Sequence, residues 1–237
     1  MVIRRLTIGL IAFVSAISAL SAQHVFPDWT AEPLGLSGVW ERASFVVVGQ
    51  LRQIRPVGSV RPGKLPRIAS PTIRRIYWCE GEFSSQQVIR GKLTLGVKRF
   101  LWGAIKPGCQ LDQEASVSAN ESLTQVWFVR EEGSYLRPVV DAGGPFFFTF
   151  HEKWTPQTAG ADPERHFGQL LLSPRATGLT PEEYAQSFFK PAGLACWILG
   201  NADCMQRIRS LAAIDNRALH DAACKFLDYQ FGEKCRQ

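Results

Sequence analysis

The six cysteines constrain the fold of this chain most strongly, because their spacing separates two differently built parts. Two of them, Cys79 and Cys109, lie in a strand-rich segment. The other four lie within the last forty-two residues, at Cys196, Cys204, Cys224 and Cys235. An even number of cysteines in an exported chain indicates disulfides. The simplest connectivity joins sequence neighbours, as Cys79–Cys109, Cys196–Cys204 and Cys224–Cys235, although four cysteines in one segment permit three pairings.

Zinc binding would be the other use of such cysteines. The sequence contains no Cys-x-x-Cys pair, and His220 is the only histidine near the C-terminal cysteines. Structural zinc sites are built from Cys and His ligands at short, regular spacings. The spacing here therefore favours disulfides, and we expect neither a metal nor any other cofactor.

The first 22 residues have the organisation of a secretory signal peptide. A short basic start precedes an apolar run over residues 6–20, and small residues follow at Ser21 and Ala22. The run is fifteen residues long, whereas a helix needs about 20 residues to cross a bilayer. We therefore expect cleavage within residues 21–23, a mature chain without a transmembrane anchor, and a secreted or periplasmic location.

Composition and charge place the chain among folded, globular proteins. Of its 237 residues, 46% are hydrophobic and 20% are charged, which is typical of globular chains. The net charge is +6, but Arg4 and Arg5 belong to the predicted signal peptide, so 25 basic against 21 acidic residues leave +4. Nucleic-acid-binding domains usually carry a denser basic face. We therefore expect no nucleic-acid partner.

Residues 23–154 are predicted to form a β-rich domain. Short runs of β-branched and aromatic residues recur there between turn signals. The predicted strands cover residues 44–51, 72–90, 93–102, 125–130, 135–140 and 146–150. Five or six short strands of this kind are typical of a small barrel or a sandwich. We expect a small antiparallel β-barrel.

A helical pattern follows a stretch rich in Pro, Gly and charge, residues 155–179, which is predicted to be a connector. Residues 180–183, Thr-Pro-Glu-Glu, combine an N-cap, a proline at the first helical position and a glutamate three residues after the cap, which is a capping box. Apolar residues at helical spacing follow over 202–214 and 216–231. Residues 180–237 are therefore predicted to form a compact, disulfide-linked helical domain, and the whole chain an α+β fold.

Part of the β-rich segment resembles a known group of proteins. The residues that carry the resemblance are Ala43–Gln50, Gln87–Lys92 and Val126–Val129. In strand spacing and hydrophobic identity, residues 43–140 resemble the netrin modules and tissue inhibitors of metalloproteinases. The resemblance implies a five-stranded, OB-like barrel. The inhibitors of that group chelate the zinc of their target with an N-terminal cysteine, but the first cysteine here is Cys79, so the resemblance extends to the fold alone.

A segment without acidic residues is the local feature with the clearest functional implication. Residues 52–75, which we call the cationic arm, contain no Asp or Glu. Its basic residues are Arg52, Arg55, Arg61, Lys64, Arg67, Arg74 and Arg75. Such an arm favours an anionic partner, which for an exported protein means an anionic envelope surface, a polysaccharide or an acidic protein. The other interpretation is a solvated loop whose charges keep a sheet edge soluble.

Nucleotide-binding and zinc-protease motifs are incomplete in this sequence. Gly58–Lys64 has the spacing of a phosphate loop, but Leu65 occupies the position of the required Ser or Thr. His151 and Glu152 begin a zinc-protease motif, but Thr155 replaces its second histidine. The preferred function is therefore non-enzymatic: binding or interaction in the cell envelope or extracellular space.

Two other functions stay open at this point. One is a hydrolase of unrecognised type with a site near Asp141 and His151, although the sequence has no Gly-x-Ser-x-Gly element. The other is a purely structural role in the cell envelope. Binding by the cationic arm predicts loss of a partner when its arginines are neutralised, whereas a hydrolase predicts turnover that depends on His151.

Overall fold

The computed structural model describes residues 35–60, 75–104, 107–109, 123–141 and 144–235. Within these ranges the strands are β1 (Phe45–Val60), β2 (Ile76–Arg90), β3 (Gly96–Ala104), β4 (Thr124–Glu132), β5 (Tyr135–Pro138), β6 (Val140–Asp141), β7 (Gly144–Pro145) and β8 (Phe147–Phe150). The helices are α1 (Gly35–Arg42), α2 (Pro156–Ala159), α3 (Pro163–Leu171), α4 (Pro174–Thr177), α5 (Pro181–Ser187), α6 (Phe189–Leu199), α7 (Asn201–Ala212) and α8 (Arg217–Phe231). A 3-10 turn covers Pro107–Cys109.

Five of these strands close into a ring. β1 pairs with β2, β2 with β3, β3 with β5, β5 with β4, and β4 with β1. β8 lies along the edge of β4 that β5 also uses, which adds a sixth strand to the sheet. β1 takes the opposite edge of β4, where Phe45 pairs with Val129 and Val48 with Val126.

The predicted α+β class is confirmed, but the prediction of a wholly antiparallel sheet is wrong. β3 and β5 run parallel where Arg99 pairs with Tyr135 and Phe100 with Leu136. The other strand pairs in the described residues are antiparallel. A ring with an odd number of strands cannot alternate direction all the way round. Closure of five strands therefore requires a parallel pair, and the sheet is mixed.

The first part of β1, up to Leu51, and most of β4 are buried on both faces, which explains their nearly continuous apolar runs. Val47 and Trp127 lie in the core inside the ring, whereas Val46 and Phe128 lie in a second core between the sheet and the helices. The ring interior also contains Leu51, Cys79, Phe83, Phe100, Trp102, Val129 and Leu136. Neighbouring residues alternate between the two cores because successive side chains of a strand point to opposite faces.

Phe167 on α3 anchors the helices to the sheet. Its ring centroid lies 6.1 Å from that of Phe128 and 6.0 Å from those of Phe148 and Phe150. Residues 155–179, predicted as a connector, thus hold α2, α3 and α4 and contribute to the core between the sheet and the helices.

Polar residues cap these short helices, and prolines occupy their first positions instead of ending regular structure. The Asp162 side chain accepts a hydrogen bond of 2.9 Å from the Arg165 backbone N–H, and Pro163 is the first residue of α3. Ser173 caps α4 in the same way, and Pro174 follows it. Proline fits the first helical position because its missing N–H has no partner there. A composition typical of loops therefore forms helices here.

The C-terminal helices begin as predicted. The Thr180 hydroxyl accepts from the Glu183 N–H at 3.3 Å, and the Thr180 N–H donates to Glu183 Oε2 at 2.9 Å, which completes the capping box of α5. Tyr184 is buried, and its hydroxyl donates to the Leu171 carbonyl at 2.6 Å. In the described part of the chain, none of the helices combines the length and apolar composition that a membrane crossing needs.

The simplest predicted cysteine connectivity is confirmed. The disulfides are Cys79–Cys109, Cys196–Cys204 and Cys224–Cys235. The first ties β2 to the 3-10 turn, the second ties α6 to α7, and the third anchors the residues after α8 to that helix. Their sequence separations are 30, 8 and 11 residues. In the loop-entropy model, bridges of this length each stabilise the fold by on the order of 3 kcal/mol.

Two glycines allow β1 and β2 to approach closely in the wall of the ring. A Cβ on Gly49 would lie 2.5 Å from the Phe83 ring and 2.7 Å from the Ser84 carbonyl oxygen. A Cβ on Gly81 would lie 2.8 Å from the Leu51 side chain. A larger residue at either position therefore has to displace its neighbours.

Gly49→Ala is expected to destabilise the ring, because the added methyl group meets backbone as well as a packed aromatic ring. The expected loss is about 1–3 kcal/mol in the free energy of unfolding, measured by urea denaturation. Gly58→Ala is the matched control on β1, since a Cβ there would come no closer than 3.9 Å to Trp78. Equal stabilities of the two variants would contradict this account of the ring wall.

Candidate functional site

Three charged side chains meet on the outer surface of β1, β2 and β3. Arg55 Nη2 donates to Glu80 Oε2 at 3.2 Å, and Arg99 Nε donates to Glu80 Oε1 at 2.6 Å. The Glu80 side chain is 9% exposed, whereas those of Arg55 and Arg99 are 70% and 55% exposed. We call these residues the Arg55–Glu80–Arg99 cluster. One nearly buried carboxylate therefore holds two guanidiniums at the surface.

The strand register brings the cluster together. Arg55 lies opposite Glu80 in the ladder of β1 and β2. Arg99 lies opposite Glu82 on one side and opposite Tyr135 on the other, which makes it a diagonal neighbour of Glu80. The Arg99 guanidinium lies 4.5 Å from the centroid of the Tyr135 ring, a cation–π contact. Cross-strand pairing and this aromatic contact orient Arg99.

Charge is unbalanced in the cluster. Burial alone would raise the pKa of Glu80, but hydrogen bonds and positive charge from Arg99 and Arg55 outweigh it, and the pKa of Glu80 is lowered. The carboxylate is therefore ionised at neutral pH and opposes two positive charges. Exposed guanidiniums are well suited to bind carboxylate, sulfate or phosphate groups, because their planar N–H donors match those oxygens.

The cationic arm lies partly in strands and partly outside the described residues. Arg52 and Arg55 lie on β1, so this end of the arm is a strand and not the predicted loop. The strand continues because β2 supplies ladder partners as far as the pair Val60 and Ile76. Arg75 is exposed immediately before β2. The remaining predicted residues, Arg61, Lys64, Arg67 and Arg74, lie outside the described residues.

Three charged residues that lie near the arm in space were missed by sequence reasoning. Glu80 and Glu82 on β2 lie opposite Arg55 and Arg52, and Arg99 comes from β3. The arm therefore lacks acidic residues along the chain but not across the sheet. A hairpin register between the first two predicted strands is the signal that would have identified them.

The outer half of β1 also has the features that protect a sheet edge. From Arg52 to Val60, β1 pairs with β2 alone among the described residues. The ladder shifts register after Arg52 and again after Pro56, and Gln53 has a φ of 52°. Bulges, a proline and exposed charges hinder pairing between sheet edges. The predicted alternative, charges that keep an edge soluble, is compatible with this geometry.

The residues of the hydrolase alternative lie on separate segments. Asp141 ends β6, and His151 follows β8. His151 is exposed, and its backbone N–H donates to the Ala176 carbonyl at 2.7 Å. Its ring lies so close to Gly178 that a Cβ there would be 2.5 Å away. These contacts attach the end of β8 to α4, and the hydrolase stays a prediction.

The cysteines, the histidines and the acidic side chains of the described ranges are the remaining groups that could bind a metal or react. All six cysteines are used in disulfides. Within the described ranges, no group of three or more His, Cys, Asp or Glu side chains is placed to hold a metal ion. Comparison of the chain with protein-family models, curated proteins and solved structures finds no match. The resemblance of residues 43–140 to the netrin modules therefore stays a prediction.

Glu80→Gln is expected to lower the free energy of unfolding at neutral pH. The variant should then lose less stability than the wild type when the pH is lowered. Because the pKa of Glu80 is lowered in the folded chain, its charge stabilises the fold above the ordinary value of 4.5, and this contribution disappears as the pH falls through the folded value. The expected loss at pH 7 is about 1–2 kcal/mol, since solvent screens the exposed guanidiniums. Urea unfolding between about pH 3 and pH 7 measures both effects.

Glu41→Gln provides the control for this experiment, because Glu41 is an exposed carboxylate on α1. Its stability at pH 7 should match that of the wild type. If Glu80→Gln loses as much stability as the wild type between neutral and acidic pH, the cluster does not contribute the charge stabilisation inferred here.

Proposed function

We propose that the protein is an exported, non-enzymatic binding module that holds an anionic partner on the cationic arm and the Arg55–Glu80–Arg99 cluster. The observation that carries the proposal is the excess of positive charge on this part of the sheet, where the guanidiniums of Arg52, Arg55 and Arg99 face two carboxylates, Glu80 and Glu82. Arg52 is exposed on β1, and Arg75 is exposed immediately before β2. Arg52 and Arg55 lie opposite Glu82 and Glu80, which are two residues apart on β2, so about 7 Å separates them along the strand. A row of cations at this spacing suits an extended anionic polymer better than a small ion.

The ring supports a finer proposal, that the β-rich part is an OB-like barrel. Its five strands close through the order β1-β2-β3-β5-β4, with β5 between β3 and β4. OB-type barrels are five-stranded Greek-key barrels that bind oligonucleotides and oligosaccharides on the face of strands 2 and 3 and on the connection between strands 1 and 2. The cationic arm connects β1 to β2, and the cluster lies on β1–β3. The proposed surface is thus the one that such barrels use.

The location of the protein favours a polysaccharide as the anionic partner. The three disulfides indicate an oxidising, extracytoplasmic environment. The predicted signal peptide over residues 1–22 leads to the same location. Nucleic acid is not an expected partner there. We therefore favour an acidic polysaccharide, whose carboxylate or sulfate groups pair with guanidiniums.

The test compares two variants that lose the same charge at different places. In the arm variant, Ser replaces Arg61, Lys64, Arg67 and Arg74. In the control variant, Ser replaces four exposed cations elsewhere, Lys153, Arg175, Arg217 and Lys225. Binding of residues 23–237 to heparin and to alginate is measured by titration at low and at physiological salt. The arm variant is expected to lose about tenfold or more in affinity, and the control variant much less.

Equal losses in the two variants would show attraction to net charge without a site, and absence of wild-type binding to either polymer would overturn the proposal. The cluster is tested separately with Glu80→Gln. Removal of the carboxylate frees both guanidiniums from their ion pairs with Glu80. The affinity for the polymer should therefore rise in this variant, whereas it falls in the arm variant. Unchanged affinity of folded Glu80→Gln would exclude the cluster from the site.

A further inference from the structure

The disulfide between Cys224 and Cys235 is the most accessible of the three. Both of its cysteines are half-buried. The cysteines of the other two disulfides are at most 5% exposed, and they are Cys79, Cys109, Cys196 and Cys204. Thiol–disulfide exchange begins when a thiolate reaches one sulfur of the bridge. An external thiol therefore reaches Cys224–Cys235 before the other two.

His220 lies against this disulfide, one helical turn before Cys224. Its Nε2 is 3.6 Å from Cys224 Sγ, and its Nδ1 is 2.6 Å from the Ala212 carbonyl oxygen. A carbonyl accepts hydrogen bonds and cannot donate, so Nδ1 carries the hydrogen of the neutral ring. The lone pair of Nε2 then faces Cys224 Sγ.

The contact with Ala212 also fixes the position of the ring. Ala212 is the last residue of α7. The final carbonyls of a helix have no donor within it and need partners from outside. The Nδ1–H of His220 supplies one, so the same hydrogen bond that completes α7 holds the basic nitrogen of His220 at the sulfur of Cys224.

We propose that Cys224–Cys235 is a thiol–disulfide exchange site whose substrate is a thiol and whose leaving sulfur, Cys224, is stabilised by His220. The incoming thiol gives its proton to water, and its thiolate attacks Cys235 Sγ in line with the bond to Cys224. A mixed disulfide forms at Cys235, the bond between the two cysteines breaks, and both bonding electrons go to Cys224 Sγ. His220 Nε2 passes a proton from water to the resulting thiolate, which leaves Cys224 as a thiol.

A second thiol completes the exchange. Its thiolate attacks the substrate sulfur of the mixed disulfide and releases Cys235 as a thiol once that sulfur is protonated. Two substrate thiols are thereby oxidised to one disulfide, and the bridge takes up their two electrons. The reverse sequence oxidises the two cysteines and reduces a substrate disulfide.

A second tether keeps the two sulfurs close after the bridge opens. Glu233 lies two residues before Cys235 and accepts two hydrogen bonds from Arg209 on α7, Nε to Oε1 at 2.8 Å and Nη2 to Oε2 at 2.6 Å. The Gly232 N–H also donates to the Asp228 carbonyl at the end of α8. Groups held on one short segment meet at high effective concentration. The site can therefore re-form its bridge while the chain stays folded.

The test is stepwise reduction of the oxidised protein with limiting 2-mercaptoethanol. Samples are alkylated at intervals, and mass spectrometry of peptides reports which bridge is open and which cysteine carries the mercaptoethanol adduct. Cys224–Cys235 is expected to open about tenfold or more faster than the other two bridges, with the adduct on Cys235. Earlier opening of Cys196–Cys204, or equal adducts on Cys224 and Cys235, would overturn the proposal.

His220→Gln separates the effect of the histidine on the exchange rate from the effect of the accessibility of the bridge. Glutamine keeps a donor for the Ala212 carbonyl but has no basic nitrogen. The variant is expected to open its bridge about tenfold more slowly and to lose the preference for adducts on Cys235. His151→Gln, which changes an exposed histidine after β8, is the control and should match the wild type. An unchanged opening rate and adduct distribution in folded His220→Gln would overturn the role of His220. If that variant does not fold, the adduct distribution of the wild type tests whether Cys224–Cys235 is the exchange site.

Discussion

The pairing of β1 with β4 is the constraint on which the rest of the structure depends. It closes the ring, and the same two strands present their outer faces to the helices, so both cores are lost if they separate. Three successive valines on β1 do not by themselves distinguish the two faces. Contacts with the neighbouring strands distinguish the faces instead: Gly49 of β1 leaves room for Phe83 of β2, and the Trp127 ring of β4 stacks on Phe147 of β8 at 4.4 Å. A slip of one residue would move such groups to the wrong face.

The features that sequence could predict are local, and those it could not predict depend on distant pairing. The capping box at Thr180 and the neighbouring cysteine pairs follow from residues a few positions apart or from loop length. The strand runs follow from hydrophobic pattern. The parallel contact of β3 with β5 follows only from ring closure, which no local pattern records. Residues 155–179 were predicted as a connector because Pro and Gly are common in loops, whereas Asp162 and Ser173 make the same prolines into helix starts.

The electrostatics of the candidate site also depend on strand pairing that the sequence does not reveal. Counting charge along the chain identified the arm, but energies depend on distance in space. Glu80 follows the arm by five residues and still lies opposite Arg55, because the two strands turn back on each other. Arg99 is further along the chain and enters through β3. The pattern therefore predicts a cationic surface that includes Arg52 and Arg55, whereas the carboxylate that orders the arginines follows from the strand pairing.

The disulfides differ in burial, which assigns the two buried ones to stability and the more exposed one to exchange chemistry. Cys79–Cys109 lies in the ring core and Cys196–Cys204 in the core between sheet and helices, where each cysteine is at most 5% exposed. α8 does not need the third bridge to stay in place, because its inner face is buried through Leu219, Ala223, Phe226 and Leu227. Opening Cys224–Cys235 therefore frees the residues after the helix and leaves both cores intact. Among the described residues, the exchange site and the cationic surface share no strand or helix.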